Sequence, residues 1–178
     1  MMDSHERMTD SHHHHGRIRL RRLTRHDIDF ILAVTSDAEW LKFIGDRGVN
    51  DSVGAQQYIS ASGDSFADSG YGLWVVETEQ VAGDSRIGLC GFIRRPFLAY
   101  PDLGYAFLPH GRGQGFATEA VQLVLNWARD TIRCQRVSAI CRSDNTASVR
   151  LLTRVGFTRI GQLYQPDLPV HELYLHSK

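Results

Sequence analysis

The chain has 178 residues, 42% of them apolar and 22% charged, the proportions of an ordinary globular domain of a length that one core can serve. Its 20 basic and 20 acidic residues cancel, which removes the electrostatic case for nucleic acid or an anionic membrane surface as a partner. No apolar run approaches the ~20 residues of a membrane span, and the polar N-terminal stretch lacks the apolar segment of a secretory signal.

Residues 1–16 are polar and carry four consecutive histidines, His12 to His15, so a disordered, tag-like tail is expected rather than a metal site. Ile18, Leu20 and Arg22 alternate with Arg19 and Arg21, the period of a first strand. Thr24 is placed to cap a helix with apolar positions Ile28, Ile31 and Leu32, and Asp27 and Asp29 sit in its first turn, where the dipole favours them. Trp40 to Asn50 reads as irregular and glycine-bearing. A second helix is expected from Ser52 to about Phe66, with Gly63 and Gly70 marking its fraying end.

Three strands follow, Gly72 to Thr78, Arg86 to Arg94 and Asp102 to Leu108. On the last of these, Leu103, Tyr105 and Phe107 share a face. A long helix starts at Gly115, with Ala117, Val121, Val124, Leu125, Ala128 and Ile132 as its buried stripe. Arg136 to Arg142 reads as a strand. Asn145 to Val155 reads as a short helix stopped at Gly156, and Phe157 to Leu163 and His171 to His176 as the closing strands. Cys90, Cys134 and Cys141 form no Cys-x-x-Cys. Buried free thiols in a reducing cytoplasm are expected, with a catalytic thiol as the alternative. The fold class is α/β: one domain, residues 17–178, with a mixed sheet.

The most informative stretch is Gly111-Arg112-Gly113-Gln114-Gly115-Phe116-Ala117. It joins a strand to a helix start, where free backbone N–H groups and the helix dipole attract an anion such as a phosphate. There is no Lys for a Walker loop, and neither Phe116 nor Thr118 suits the third glycine position of a dinucleotide fingerprint. Read from the arginine, the run is Arg-x-x-Gly-x-Ala. Around it lie Asp102-Leu103-Gly104-Tyr105 upstream, Thr118-Glu119-Ala120 directly after, and Asn145-Thr146-Ala147-Ser148 with a closing Gly156-Phe157 downstream.

These four elements, in this order, resemble the acetyl-coenzyme A signature of the GNAT superfamily of N-acetyltransferases. The likeness extends from about Arg17 to Leu175. With the stretch Trp40 to Gly48, it is similar to the branch that acetylates ribosomal-protein N-termini. The resemblance implies a GNAT-like six- or seven-stranded sheet, flanked by about four helices and split in a V after the Asp102 strand. It implies a cytoplasmic enzyme, monomeric or homodimeric, that moves an acetyl group from acetyl-coenzyme A to a primary amine by direct transfer, without a metal. The alternative is a catalytically silent acyl-coenzyme A sensor or scaffold.

The resemblance assigns the diphosphate of the cofactor to Arg112, Gly113, Gln114, Gly115, Phe116, Ala117 and Thr118. Arg112 either adds charge there or is a solvated surface residue. A backbone N–H near Phe107 or Leu108, freed by the split, would polarise the thioester carbonyl. Asn145 and Ser148, on one helical face, would contact the pantetheine arm, and Ser148 would protonate the leaving thiolate. Asp102 is the first candidate for the base that deprotonates the amine; a polar strand-start residue is its plainer reading, and Glu77 and Glu172 are the backups. Tyr105 reads as strand packing. Trp40, Phe43, Tyr58, Tyr71, Trp74 and Tyr164 are candidate walls for the acceptor.

Overall fold

The alternating and continuous apolar runs read from the sequence become strands β1 (His13–His15), β2 (Ile18–Arg22), β3 (Leu73–Glu77), β4 (Arg86–Ile93), β5 (Asp102–Phe107), β6 (Arg136–Cys141), β7 (Thr158–Leu163) and β8 (His171–Ser177). In the computed structural model, which describes residues 13–166 and 169–177, they form one sheet in the order β1-β2-β3-β4-β5-β6-β8-β7. The seven expected strands are all present. The extra one, β1, corrects the boundary of the expected tail. His15 pairs with Ile18 and His13 with Leu20 across a tight turn, made possible by Gly16 at φ +59. Residues 1–12 of that tail lie outside the described residues.

Among the described residues five α-helices flank the sheet: α1 (Ile28–Thr35), α2 (Ala38–Phe43), α3 (Ser52–Ser69), α4 (Phe116–Asp130) and α5 (Thr146–Arg154). Of the segment expected to be irregular from Trp40 to Asn50, the part with Gly45 and Gly48 is irregular as expected, and helix α2 takes up its first residues. The cause is Asp37, whose Oδ1 accepts from the N–H groups of Glu39 at 3.0 Å and Trp40 at 3.3 Å, while Trp40 is buried against α1 and α3. Helix α3 runs past Phe66 to Ser69 and ends at Gly70, with φ +76. Gly63 therefore lies inside it.

Helices α4 and α5 cover one face of the sheet, packing on Leu20, Trp74, Phe92, Leu103, Val137 and Ala139. Helices α1 to α3 cover the other, packing on Val75, Leu89, Ala106 and Leu108. No helix among the described residues is long and apolar enough to cross a membrane.

The sheet is interrupted at one place. The β4–β5 ladder is antiparallel and continuous from Gly88↔Phe107 to Ile93↔Asp102. The next pair, β5 and β6, is parallel and is bridged at Asp102↔Ser138 alone, with the Ser138 N–H donating to the Pro101 carbonyl at 2.9 Å. Beyond that point the two strands diverge, and this is the expected V.

Phe92 fixes β4, and through it β5, against α4: it is fully buried and stacks on Trp127 with centroids 6.4 Å apart. Phe92→Ala should cost about 3–5 kcal/mol, read as a lower urea midpoint with an unchanged denaturant slope.

Candidate active site

The diverging strands open a cleft of about 1230 Å³, larger than a typical single-ligand pocket and wide enough for two reactants. One end of it is the glycine loop. Gly113 and Gly115 sit at φ +73 and +85, in the left-handed region that side-chain-bearing residues avoid. No heavy atom lies within 4 Å of where a Cβ on Gly113 would stand. Gly115 is the N-cap of α4, and no side chain caps that helix end. The Glu119 N–H donates to the Gly115 carbonyl at 3.2 Å. The N–H groups of Phe116, Ala117 and Thr118 therefore emerge from the helix end without intrahelical acceptors. A positive helix end, three outward N–H donors and an open approach fit a diphosphate.

The loop is held from the other edge of the sheet by Arg17, a residue that motif reading passed over. Its Nη2 donates to the Gln114 carbonyl at 2.9 Å and its Nε to Glu119 Oε1 at 2.8 Å, and its guanidinium lies 4.5 Å from the centre of the Phe116 ring. Gln114 adds a bond of its own, Nε2 to the His110 carbonyl at 2.9 Å. The Arg112 side chain, by contrast, turns away from the loop to pair with Asp37 and with Glu39 at 3.4 Å, tying the loop to the start of α2.

Along β5 the backbone decides which N–H is available. The Leu108 N–H donates to the Ile87 carbonyl at 2.9 Å, so Leu108 is not the free donor expected of it. Antiparallel alternation then turns the N–H of Ala106 and Gly104 toward β4 as well, and those of Phe107 and Tyr105 toward the opening. Of the expected pair, Phe107 carries the free donor.

Asp102 sits at the vertex, fully buried. Its Oδ2 accepts from Arg95 Nε, while Oδ1 is buried with no hydrogen-bond partner among the described residues. Burial pushes its carboxyl up to about 6, and the Arg95 guanidinium beside it offsets only part of that rise. The backup carboxylates are not in the cleft. Glu77 is bound by Arg19 at 2.9 Å and Arg21 at 2.7 Å. Glu172 is bound by Arg159 and Gln162, which hold it below the usual range.

Asn145 and Ser148 both line the cleft. The Asn145 Oδ1 is engaged in capping α5, accepting from the Ser148 N–H at 3.1 Å, which leaves its Nδ2 as the free end. Tyr105, expected as packing, lines the cleft too. Its hydroxyl is buried and makes no completed hydrogen bond; Ser148 is the side chain placed to hydrogen-bond it. Of the expected acceptor walls, Trp40, Phe43 and Tyr58 line the cleft. Trp74 is buried in the core and Tyr164 is 72% exposed, while Tyr71 packs edge-on against Phe92. A second residue absent from the motif reading, His171, faces the same cleft. Its Nδ1 is buried without a partner among the described residues. Burial, reinforced by Arg95, Arg142 and Arg47, keeps the ring below the usual histidine value and therefore neutral at pH 7.

This architecture has known counterparts. Residues 17–158 match the model of the Acetyltransferase (GNAT) domain. The chain belongs to the GNAT acetyltransferase family. It is 28% identical over 151 residues to the uncharacterised N-acetyltransferase p20 of Bacillus licheniformis, a match spanning 83% of this chain and 82% of that one. Its fold superposes on the ribosomal-protein-S5-alanine acetyltransferase of Vibrio fischeri with a TM-score of 0.72 at 17% identity, over 94% of this chain and 97% of that one. It superposes on the microcin C7 self-immunity acetyltransferase, solved with acetyl-CoA and AMP, with a TM-score of 0.78 at 17% identity, over 92% and 94%. As a GNAT protein the chain is an acyltransferase, and the V between β5 and β6 is the family's split sheet.

Two variants test the loop. Gly115→Val places a branched side chain at φ +85 against Arg17 Nη2, 3.2 Å from the new Cβ. Calorimetry with coenzyme A should show binding lost while circular dichroism stays native. Arg17→Ala should weaken coenzyme A binding about tenfold by releasing the Gln114 carbonyl and Glu119, and unchanged affinity would mean the loop holds its shape without the clamp.

Proposed function

We propose that this GNAT enzyme transfers the acetyl group of acetyl-coenzyme A directly to a primary amine, a protein N-terminus or a small-molecule amine. The observation that carries the reading is the pairing, in one cleft, of an uncapped helix end at the glycine loop with a buried, half-unpartnered carboxylate at the vertex. The N–H groups from Gly113 to Thr118 hold the diphosphate. Asn145 Nδ2 holds the pantetheine arm. The Phe107 N–H receives the thioester oxygen, and as charge grows there its contribution grows with it. Asp102 takes a proton from the amine.

Direct transfer fits the thiols as well. Cys141 is the cysteine that borders the cleft, and burial pushes it up to about 11. At neutral pH it is an un-ionised thiol and a poor nucleophile. Binding both reactants side by side supplies much of the acceleration without a covalent step. The ribosomal-protein S5 acetyltransferase among the fold counterparts supports including protein N-termini in the first acceptor panel.

Asp102 must be ionised to act, so kcat/KM should rise with pH through about 6 and level off above it. In Asp102→Asn the rate should fall at least a hundredfold and that inflection should vanish. An inflection that persists in the variant would remove Asp102 as the base. The reading as a whole is tested by thiol release from acetyl-coenzyme A over an amine panel, with thermal shifts against acetyl-coenzyme A, ATP and NAD. Stabilisation by ATP or NAD alone would overturn it.

A further inference from the structure

The two faces of the sheet divide the cleft between two reactants. The glycine loop leads into α4, which packs on one face. Three basic side chains of the cleft gather on the other, the α1–α3 side. His171 is three residues from Tyr174 on β8, and Tyr174 pairs with Ala139 beneath α4 and α5, so alternation turns His171 to the α1–α3 side. Arg142, just past β6, reaches α2: its Nη1 donates to the Lys42 carbonyl at 3.4 Å, and its guanidinium lies 6.0 Å from the centre of the Phe43 ring. Arg47, exposed in the loop between α2 and α3, carries its charge to both Tyr58 and His171. The diphosphate has its own site at the start of α4, and these groups are left to the second reactant.

Several polar groups here have no partner. Trp40 and His171 line the cleft, and Trp40 Nε1 and His171 Nδ1 are buried without a hydrogen bond among the described residues. Arg47 lines it too and makes no hydrogen bond or ion pair among them. Water serves an exposed arginine, but a buried N–H needs an acceptor, and an indole N–H can only donate. The carboxylates nearby are engaged: Asp37 by Arg112, Asp144 by Arg142 at 2.7 Å and Oδ2 of Asp102 by Arg95, while Asp46 Oδ1 accepts from the Gly48 N–H at 2.7 Å. Facing these donors is a buried acceptor without a partner, Asp102 Oδ1. The site is complementary to a molecule with N–H groups at one point and negatively charged oxygens at another.

We infer that the acceptor is a primary amine that also bears a carboxylate, and that Arg47, with Trp40 Nε1 and His171 Nδ1, recognises that carboxylate. The inference rests on the acetyl-transfer reading above and narrows its acceptor: Asp102 meets the amine and the donors meet the acid. Two sources present this chemistry, a free amino acid and a peptide N-terminus with an acidic side chain at its start. A polyamine is disfavoured, because its second ammonium would meet Arg47 with like charge.

The test is a panel of matched acceptors, read by thiol release at saturating acetyl-coenzyme A: L-amino acids against their own amides, peptides opening with Asp or Glu against the same peptides with Asn or Gln, and a diamine. Wild-type kcat/KM should favour the carboxylate-bearing member of a pair about tenfold or more, and the preference should shrink as salt is added. The pair that shows it identifies the source. Arg47→Gln should bring the ratio close to one by raising KM for the acidic acceptor with little change in kcat, and Arg47→Glu should shift the preference to the diamine. Calorimetry with free coenzyme A should give wild-type affinity in both variants; a loss there would assign Arg47 to the cofactor and overturn the inference. A wild-type enzyme that uses the amide or the diamine as well as the acid, or an Arg47→Gln enzyme that keeps the wild-type ratio, also overturns it and leaves the acetyl-transfer reading standing. Coenzyme A binding without transfer to any acceptor overturns both.

Discussion

The site depends on a parallel ladder that stops. Every other neighbouring pair in the sheet is antiparallel, and most are bridged along several residues; β5 and β6 share one bridge, Asp102↔Ser138. A strand that continued in register beside β6 would spend the N–H groups of Tyr105 and Phe107 on β6 carbonyls. Because β6 turns away, those donors face open space with the geometry of a sheet edge, which elsewhere invites another chain. Here the edge is internal, sealed above and below by helices on both faces. The vertex that ends the ladder also buries Asp102, so the same geometric event frees the donors and perturbs the acid.

The glycine loop converts that opening into a directed site. A helix end with no capping side chain is an unfinished structure, and α4 is kept unfinished by its sequence: Gly115 stands where Ser, Asp or Asn would ordinarily close the helix. Three of the loop's residues are glycines, so few side chains are left to hold its shape: Arg112 on Asp37, Gln114 on the His110 carbonyl and, from outside the loop, Arg17 on the Gln114 carbonyl and Glu119. Arg17 follows the turn that joins β1 to β2. Arg112 reaches the N-cap of α2. The anion cradle is thus braced at two points, from the β1–β2 turn and from the start of α2.

Much of this was legible in the sequence, and what was not has a common cause. The seven strands, the stripe of α4 and the glycine loop follow from local periodicity and spacing, so they could be read without knowing what packs where. Helix α2 was hidden although its cap, Asp37 followed by Glu39, is local; the glycines at 45 and 48 suggested a loop, and the anchoring of Trp40 is a tertiary fact. The assignment of the free N–H to Phe107 rather than Leu108 is a matter of register. Register is set by the pairing of β5 with β4, about twenty residues away in sequence, and a single strand does not announce it. Arg17 and His171 lie outside any motif and meet the site only because the sheet brings both ends of the chain to it. The reading of Arg112 left two options open, and its pairing with Asp37 and Glu39 shows a third, a brace between two elements.

The pairing of Asp102 with Arg95 looks at first like a poor use of a base, because a cation beside a carboxylate lowers its appetite for a proton. Burial acts in the opposite sense and more strongly. Left alone in the vertex, the carboxyl would hold its proton to a higher pH than it does beside Arg95. Tied to an exposed arginine it would titrate too low to pull. The balance of the two sets it at about 6, ionised at neutral pH yet still a better acceptor than a surface aspartate. Arg95 binds Oδ2, and Oδ1 is buried without a hydrogen bond among the described residues. One oxygen is thereby anchored, and under the function proposed above the other is the one that would meet the amine. The shorter aspartate suits this arrangement: a glutamate would carry the carboxylate one methylene farther from the bridge that buries it and from the arginine that holds it.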